Sequence, residues 1–199
     1  MALSKIQAES MNLADTYAFT GTVSGTSDLV KISTTTVSGT PTIIEFTGID
    51  DTYSVYKVVM NNLQLTGDGR MKVRLGTDSA YIASNYRLTG VSGRAGSGTL
   101  DKENKFTDST FDITGGWDLG GATDECYNTS MYFYNLRGTS GHKHIFATSS
   151  FVSTGNYVVF MAVGGRLYDN SVVSKMKFGD ITGSANINSG TVTLYGVKQ

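Results

Sequence analysis

The sequence predicts an all-β fold, a β-sandwich of the jelly-roll type, preceded by a short N-terminal arm or helix. The first observation is composition: the 199 residues include 24 Gly and one Pro, with 11 Tyr and 9 Phe, and aromatic residues favour strands. The second is the alternation of apolar and polar residues in short runs between turn signals. The third is the last strand, where Val192 and Leu194 alternate with Thr191, Thr193 and Tyr195. We therefore expect one β-structure that this strand completes.

The N-terminal segment contains the one candidate helix, over residues 3–19, although an extended arm fits the same residues. Its loose apolar set consists of Leu3, Ile6, Met11, Leu13 and Phe19. A short apolar arm beside a β-domain is poorly placed to bury its own face, so we expect these residues to dock on another surface. The sequence therefore predicts an attachment arm over residues 1–25 and a β-sandwich domain over residues 26–199.

The remaining elements are strands separated by turns. Pro41 precedes the second strand, as Pro does at strand starts, and Gly67 and Gly69 mark a tight turn. The Gly/Ser-rich stretch 90–98 and the section 99–125 are interpreted as loop, with one short strand. The candidate strands are 28–32, 42–46, 53–65, 71–75, 81–88, 111–113, 127–136, 142–151, 157–163, 172–178 and 191–197. Many short strands of this kind suit a sandwich or jelly roll better than a propeller.

Charge, cysteine content and hydropathy narrow the function classes. The chain has 16 basic and 17 acidic residues without a basic block, which argues against a nucleic-acid partner. Cys126 is the one cysteine, so no intrachain disulfide is expected, which fits a reducing compartment. The N-terminus lacks the apolar run of a signal peptide, and no stretch approaches the ~18 apolar residues of a membrane helix. We expect a soluble protein without membrane insertion.

Two histidines have the spacing of a metal motif. His142 and His144 are two residues apart, so on a strand both imidazoles point the same way. Two ligands are too few for a site within one chain, whereas a threefold axis would supply six. The alternative is that both rings are ordinary surface groups, and the sequence predicts no metal site within one chain.

No residue set suggests catalysis. The acidic pairs Asp50–Asp51 and Asp124–Glu125 could be glycosidase carboxylates, but neighbours in turn-rich segments usually cap turns. Residues 90–98 lack the ending of a phosphate loop, and no nucleophile elbow is present. The sequence therefore predicts no catalytic residues, no cofactor and no enzyme activity.

Aromatic residues provide the candidate ligand contacts. Trp117 lies between glycines, as a loop-tip aromatic or as a plug folded onto the sandwich. Long loops often carry recognition, so Trp117 and the neighbouring Tyr127 are the candidate contacts with a ligand or host surface. Tyr132, Phe133 and Tyr134 could form a carbohydrate platform, although alternating strand positions more often contribute to the core and to cross-strand pairs.

Three segments resemble virion proteins of marine and cyanobacterial tailed phages. Residues 1–25 (MALSKIQAESMNLADTYAFTGTVSG) are similar to the start of many such proteins. Residues 44–57 (IEFTGIDDTYSVYK) and 188–198 (NSGTVTLYGVK) resemble the first strand pair and the terminal strand of a jelly-roll domain in their fibre and appendage proteins.

This resemblance implies a structural virion protein, assembled in the host cytoplasm as a homotrimer and fixed to the particle by its N-terminal arm. The head would then act as a short tail fibre that binds a host-surface glycan or a neighbouring virion protein. A head-decoration or connector protein without a host ligand is the alternative, and a carbohydrate-binding module is another. The chain lacks the repetitive shaft of longer fibres, which favours a compact appendage.

Overall fold

The computed structural model describes residues 28–96 and 100–198. The five residues predicted to attach the arm, Leu3, Ile6, Met11, Leu13 and Phe19, lie outside the described residues. Within the described ranges no helix is long and apolar enough to cross a membrane.

Twelve strands make up the described part of the chain. Their bounds are β1 (Leu29–Thr36), β2 (Ile43–Thr47), β3 (Val55–Leu65), β4 (Lys72–Gly76), β5 (Tyr86–Arg94), β6 (Leu100–Asp108), β7 (Phe111–Asp112), β8 (Tyr127–Tyr134), β9 (Lys143–Val152), β10 (Val158–Leu167), β11 (Lys175–Gly179) and β12 (Ile187–Val197). The strands form an eight-stranded sheet with the order β1-β12-β3-β8-β9-β10-β5-β6 and a four-stranded sheet with the order β2-β11-β4-β7. The predicted all-β sandwich is therefore confirmed.

The strand pairs are nested along the sequence: the first strand pairs with the last, and later pairs lie between them in the chain. Strand β1 pairs with β12, β2 with β11, β3 with β8 and β4 with β7, all antiparallel, and successive pairs alternate between the two sheets. This wrapping of a folded-over chain around two four-stranded layers is the jelly-roll pattern. The hairpins β5–β6 and β9–β10 are additions that extend one layer from four strands to eight.

The core lies between the sheets because each strand alternates its side chains. In β8, Tyr127, Met131 and Phe133 are buried. Phe133 meets Phe178 of β11 edge to face, with ring centroids 6.4 Å apart, so the two layers are joined by direct aromatic contact. Burying each such side chain contributes on the order of 2–3 kcal/mol.

Strand β12 confirms the strand predicted over residues 191–197 and begins earlier, at Ile187. It lies between β1 and β3, with Val197 opposite both Leu29 and Val55. Its inward residues Val192 and Leu194 are buried. The last strand therefore completes the eight-stranded sheet.

The predicted loop over residues 90–125 is only partly correct. Residues 81–85 are not a strand; β5 begins at Tyr86 and continues through the Gly-rich stretch to Arg94. Strand β6 was missed because its sequence is polar on both faces, as edge strands often are. The short strand at Phe111 is confirmed as β7.

Candidate functional site

The outer face of the eight-stranded sheet carries a continuous row of cross-strand neighbours, one from each strand. Register places these residues opposite one another from β1 to β6. In spatial order the row is Lys31, Tyr195, Lys57, Tyr132, Phe146, Gly164, Thr89 and Asn104. The row contains three aromatic rings and one position without a side chain, Gly164.

Gly164 creates a gap between Phe146 on β9 and Thr89 on β5. A Cβ atom at Gly164 would meet no atom within 4 Å, so the space above it is open. The gap is the floor of a groove of about 570 Å³ on the sheet surface, hereafter the sheet groove. At its far wall, the Thr89 hydroxyl donates a hydrogen bond to the side-chain oxygen of Asn104 at 2.7 Å.

The near wall of the sheet groove is aromatic. Phe146 is 48% exposed and Tyr134 is 39% exposed. Tyr134 stacks beside Tyr132, two residues away on β8, with ring centroids 6.4 Å apart, and the Lys57 ammonium lies 5.2 Å from the Tyr132 ring centroid. The strand backbone holds these rings in place. Little conformational entropy is therefore lost when a ligand packs on this flat apolar wall.

One end of the sheet groove is cationic. Arg87 of β5 and Arg166 of β10 are directly paired and both line the groove, together with His144 and Lys105. The guanidinium carbons of Arg87 and Arg166 lie 4.8 and 4.3 Å from the ring centroid of Tyr168. The lining residues include no carboxylate, so this end carries positive charge that the groove itself does not neutralise.

Tyr168 is held in turn by its own neighbours. Its ring packs against His142 with centroids 3.9 Å apart, and its backbone N–H donates to the carbonyl of Asn85 at 2.9 Å. The Tyr168 ring is therefore fixed by His142 on one side and contacts the two arginines on another.

The candidate contacts from the sequence lie elsewhere. Tyr127 is 0% exposed and its hydroxyl donates to the Ile113 carbonyl at 3.3 Å, so the structure contradicts its assignment as a surface contact. Trp117 packs against the hydrophobic core, and its indole N–H donates to the Ser92 hydroxyl at 3.0 Å. Trp117 therefore matches the plug alternative, because the loop carrying it folds onto the sandwich.

The histidines and the cysteine take separate positions. His144 lines the sheet groove, whereas His142 precedes β9 and stacks on Tyr168. The described residues contain no group of three or more side chains suited to a metal ion. Cys126 is partly buried, as a strand-side thiol would be.

Carboxylates of the two acidic pairs cap turns. Asp50 accepts a hydrogen bond from the Thr52 backbone N–H at 2.9 Å, which lowers the pKa of the Asp50 carboxyl. Glu125 accepts one from the Ala122 backbone N–H at 2.7 Å. The turn-capping interpretation is therefore confirmed for these two residues.

Apart from Tyr134 and His144, the residues that line the sheet groove were not predicted from the sequence. Phe146 was placed on a strand without a role, and Arg87 and Arg166 were not singled out. The available signal was the pair Gly164–Gly165 inside an apolar strand, since a strand glycine often marks a gap or a close approach.

No protein-family model matches this chain, and no curated protein or solved structure matches it. The function has to be inferred from the sheet groove.

Proposed function

We propose that this protein is a non-enzymatic binding domain whose sheet groove takes a sugar unit of a surface glycan. The observation that carries the proposal is the exposed ring of Phe146 beside the open floor at Gly164. A pyranose has one apolar face of C–H groups, which packs on a flat aromatic ring while its hydroxyls face polar groups.

The opposite wall supplies those polar groups. Thr89 and Asn104 form a hydrogen-bonded pair across β5 and β6, and Arg87 and His144 complete the rim. A ligand site with apolar walls and a few placed polar groups is the usual design of a small-molecule pocket. Because Phe146, Gly164 and Thr89 are in three neighbouring strands, the site is rigid before the ligand arrives.

Binding fits this groove better than hydrolysis. Glycosidases of the common kinds need two carboxyl groups facing each other across the bound sugar, and the residues that line the sheet groove include none.

The resemblance to phage appendage proteins gives this binding a biological setting, as part of the same proposal. A homotrimer fixed to a virion by residues 1–25 would present three sheet grooves to a host surface. Individually weak sites gain avidity when they engage together, so a shallow groove would suffice.

The test is a glycan array probed with the wild-type chain and two matched variants. Phe146→Ala removes the groove wall, whereas Tyr195→Ala removes a ring from the same face of the sheet, on β12 and outside the groove. We expect Phe146→Ala to weaken glycan binding by about tenfold or more, as loss of an aromatic anchor at the centre of a contact does, and Tyr195→Ala to leave it unchanged. Equal losses for both variants, or no glycan bound by the wild type, would contradict the proposal.

A further inference from the structure

We infer that the sheet groove selects an acidic saccharide, and that Arg87 and Arg166 hold its carboxylate or sulfate group. This inference rests on the proposed function and adds the class of ligand.

The first reason is the paired placement of the two guanidinium groups. Arg87 and Arg166 are opposite each other on adjacent strands, so both reach the same end of the groove. A guanidinium offers a planar set of N–H donors that matches a carboxylate or sulfate. Two of them side by side form a site for one anion.

The second reason is that both cations are held in place without being neutralised. Each lies against the Tyr168 ring, which limits the rotamers that anion binding would have to freeze. Within the described residues neither guanidinium forms an ion pair. The carboxylate of Asp169, next in sequence to Tyr168, instead accepts the backbone N–H of Ser171 at 2.6 Å.

The third reason is local charge. The two arginines lie side by side on the outer face, while the whole chain has a formal net charge of -1. The positive charge is thus a property of this place on the surface and not of the protein as a whole. Such a patch attracts an anion and discriminates against a neutral analogue.

Spacing fits a single acidic sugar. Arg166 is two residues from Gly164 on the same face of β10, about 7 Å along the strand. A pyranose ring over Gly164, with its apolar face on Phe146, would therefore place an acidic substituent within reach of Arg166.

The experiment compares acidic saccharides with their neutral counterparts in titration calorimetry. The pairs are oligogalacturonate with its methyl ester, sialyllactose with lactose, and a sulfated galactan oligosaccharide with its desulfated form, so the arms separate carboxylate from sulfate. We expect at least one acidic member to bind about tenfold or more tighter than its partner, with an affinity that falls as salt is raised.

Variants assign the anion to the two arginines. Arg87→Gln and Arg166→Gln should each remove most of the acidic preference, measured as the ratio of the acidic to the neutral partner's affinity for the same variant. Lys31→Gln, on the same face at the opposite edge of the sheet, removes one positive charge and should change nothing. Unaltered melting temperatures would confirm that the variants fold.

The outcomes separate the two proposals. Equal binding of neutral and acidic partners, or an acidic preference that survives both arginine substitutions, overturns the acidic-ligand inference while the proposed glycan function stands. Binding of no saccharide in any pair overturns both.

Discussion

The phenolic oxygen of Tyr86 accepts a hydrogen bond from the backbone N–H of Leu75 at 2.9 Å, across the interior of the sandwich. Tyr86 belongs to the eight-stranded sheet and Leu75 to the four-stranded sheet. The same hydroxyl donates to the Ile82 carbonyl at 2.9 Å. Strand β7 is only two residues long, and its pairing with β4 ends at Val73. The Leu75 N–H therefore has no backbone acceptor from β7, and the Tyr86 hydroxyl accepts its hydrogen bond instead.

Tyr86→Phe should therefore destabilise the fold. The change keeps the ring, which meets Phe111 edge to face at 4.8 Å, but leaves the buried Leu75 N–H without its acceptor. We expect the free energy of unfolding to fall by about 1–3 kcal/mol, measured by urea denaturation. Tyr195→Phe, which alters a partly exposed ring on the outer face, is the control. A value for Tyr86→Phe no larger than that of the control would show that the bond contributes nothing to stability.

Gly164→Val should block the sheet groove without harming the fold. A Cβ at this position meets nothing within 4 Å, and valine suits a strand better than glycine. We expect the melting temperature to hold or rise while saccharide binding is lost. Ala162→Val adds side-chain volume two residues away on the same face, outside the groove lining, and should bind normally. Full binding by Gly164→Val would place the ligand elsewhere.

High pH should unfold the protein through its buried tyrosines. Burial raises the pKa of Tyr56 to about 12 and raises the pKa of Tyr86 and Tyr127 as well. An unfolded tyrosine ionises near pH 10, so their stabilising effect is complete below about pH 10 and is lost as pH rises further. Burial lowers the pKa of Lys143 and of Lys177, so these two groups act in the opposite sense, with their effect ending by about pH 10.5.

Tyrosinate absorbance and intrinsic fluorescence, followed together through an alkaline titration, measure this effect. We expect part of the tyrosine signal to appear in one cooperative step that coincides with unfolding. A titration in which all tyrosines ionise gradually, with the fold intact, would contradict it.

The exposed apolar corner of the extended sheet offers a test of the trimer. Leu100, Val158 and Phe160 are each more than half exposed on the outer face. They lie near β6, which has no second neighbouring strand among the residues that the structure describes. An unpaired edge beside apolar surface is a place for a second copy of the chain to join. We expect a trimer mass by light scattering for the wild type and a monomer mass for Phe160→Glu. A wild-type chain that stays monomeric at high concentration would rule out the trimer.

The sequence was most informative where one strand face is apolar. Val192 and Leu194 revealed β12 because every second residue is buried. Strand β5 was harder to recognise because Gly90 and Gly93 interrupt its pattern. At Gly90 an added Cβ would come within 2.6 Å of the Ala162 carbonyl oxygen, so this glycine reflects close strand packing and not a loop.

The sheet groove could not be predicted because its parts are far apart along the chain. Arg87 and Arg166 become neighbours only through the pairing of β5 with β10, and Phe146 faces Gly164 only through the register of β9. No local pattern encodes which hairpin lies beside which. The Tyr127 error has the same origin, since one strand position decides between core and surface.

The position of β12 also determines when the protein can fold. Strands β1 and β3 are synthesised early, yet neither gains its shared neighbour until residues 187–197 have left the ribosome. Until then β1 and one side of β3 lack their strand partner, because β3 pairs on its other side with β8. A chain truncated before Ile187 would expose these strand edges, and we expect it to aggregate instead of retaining partial function.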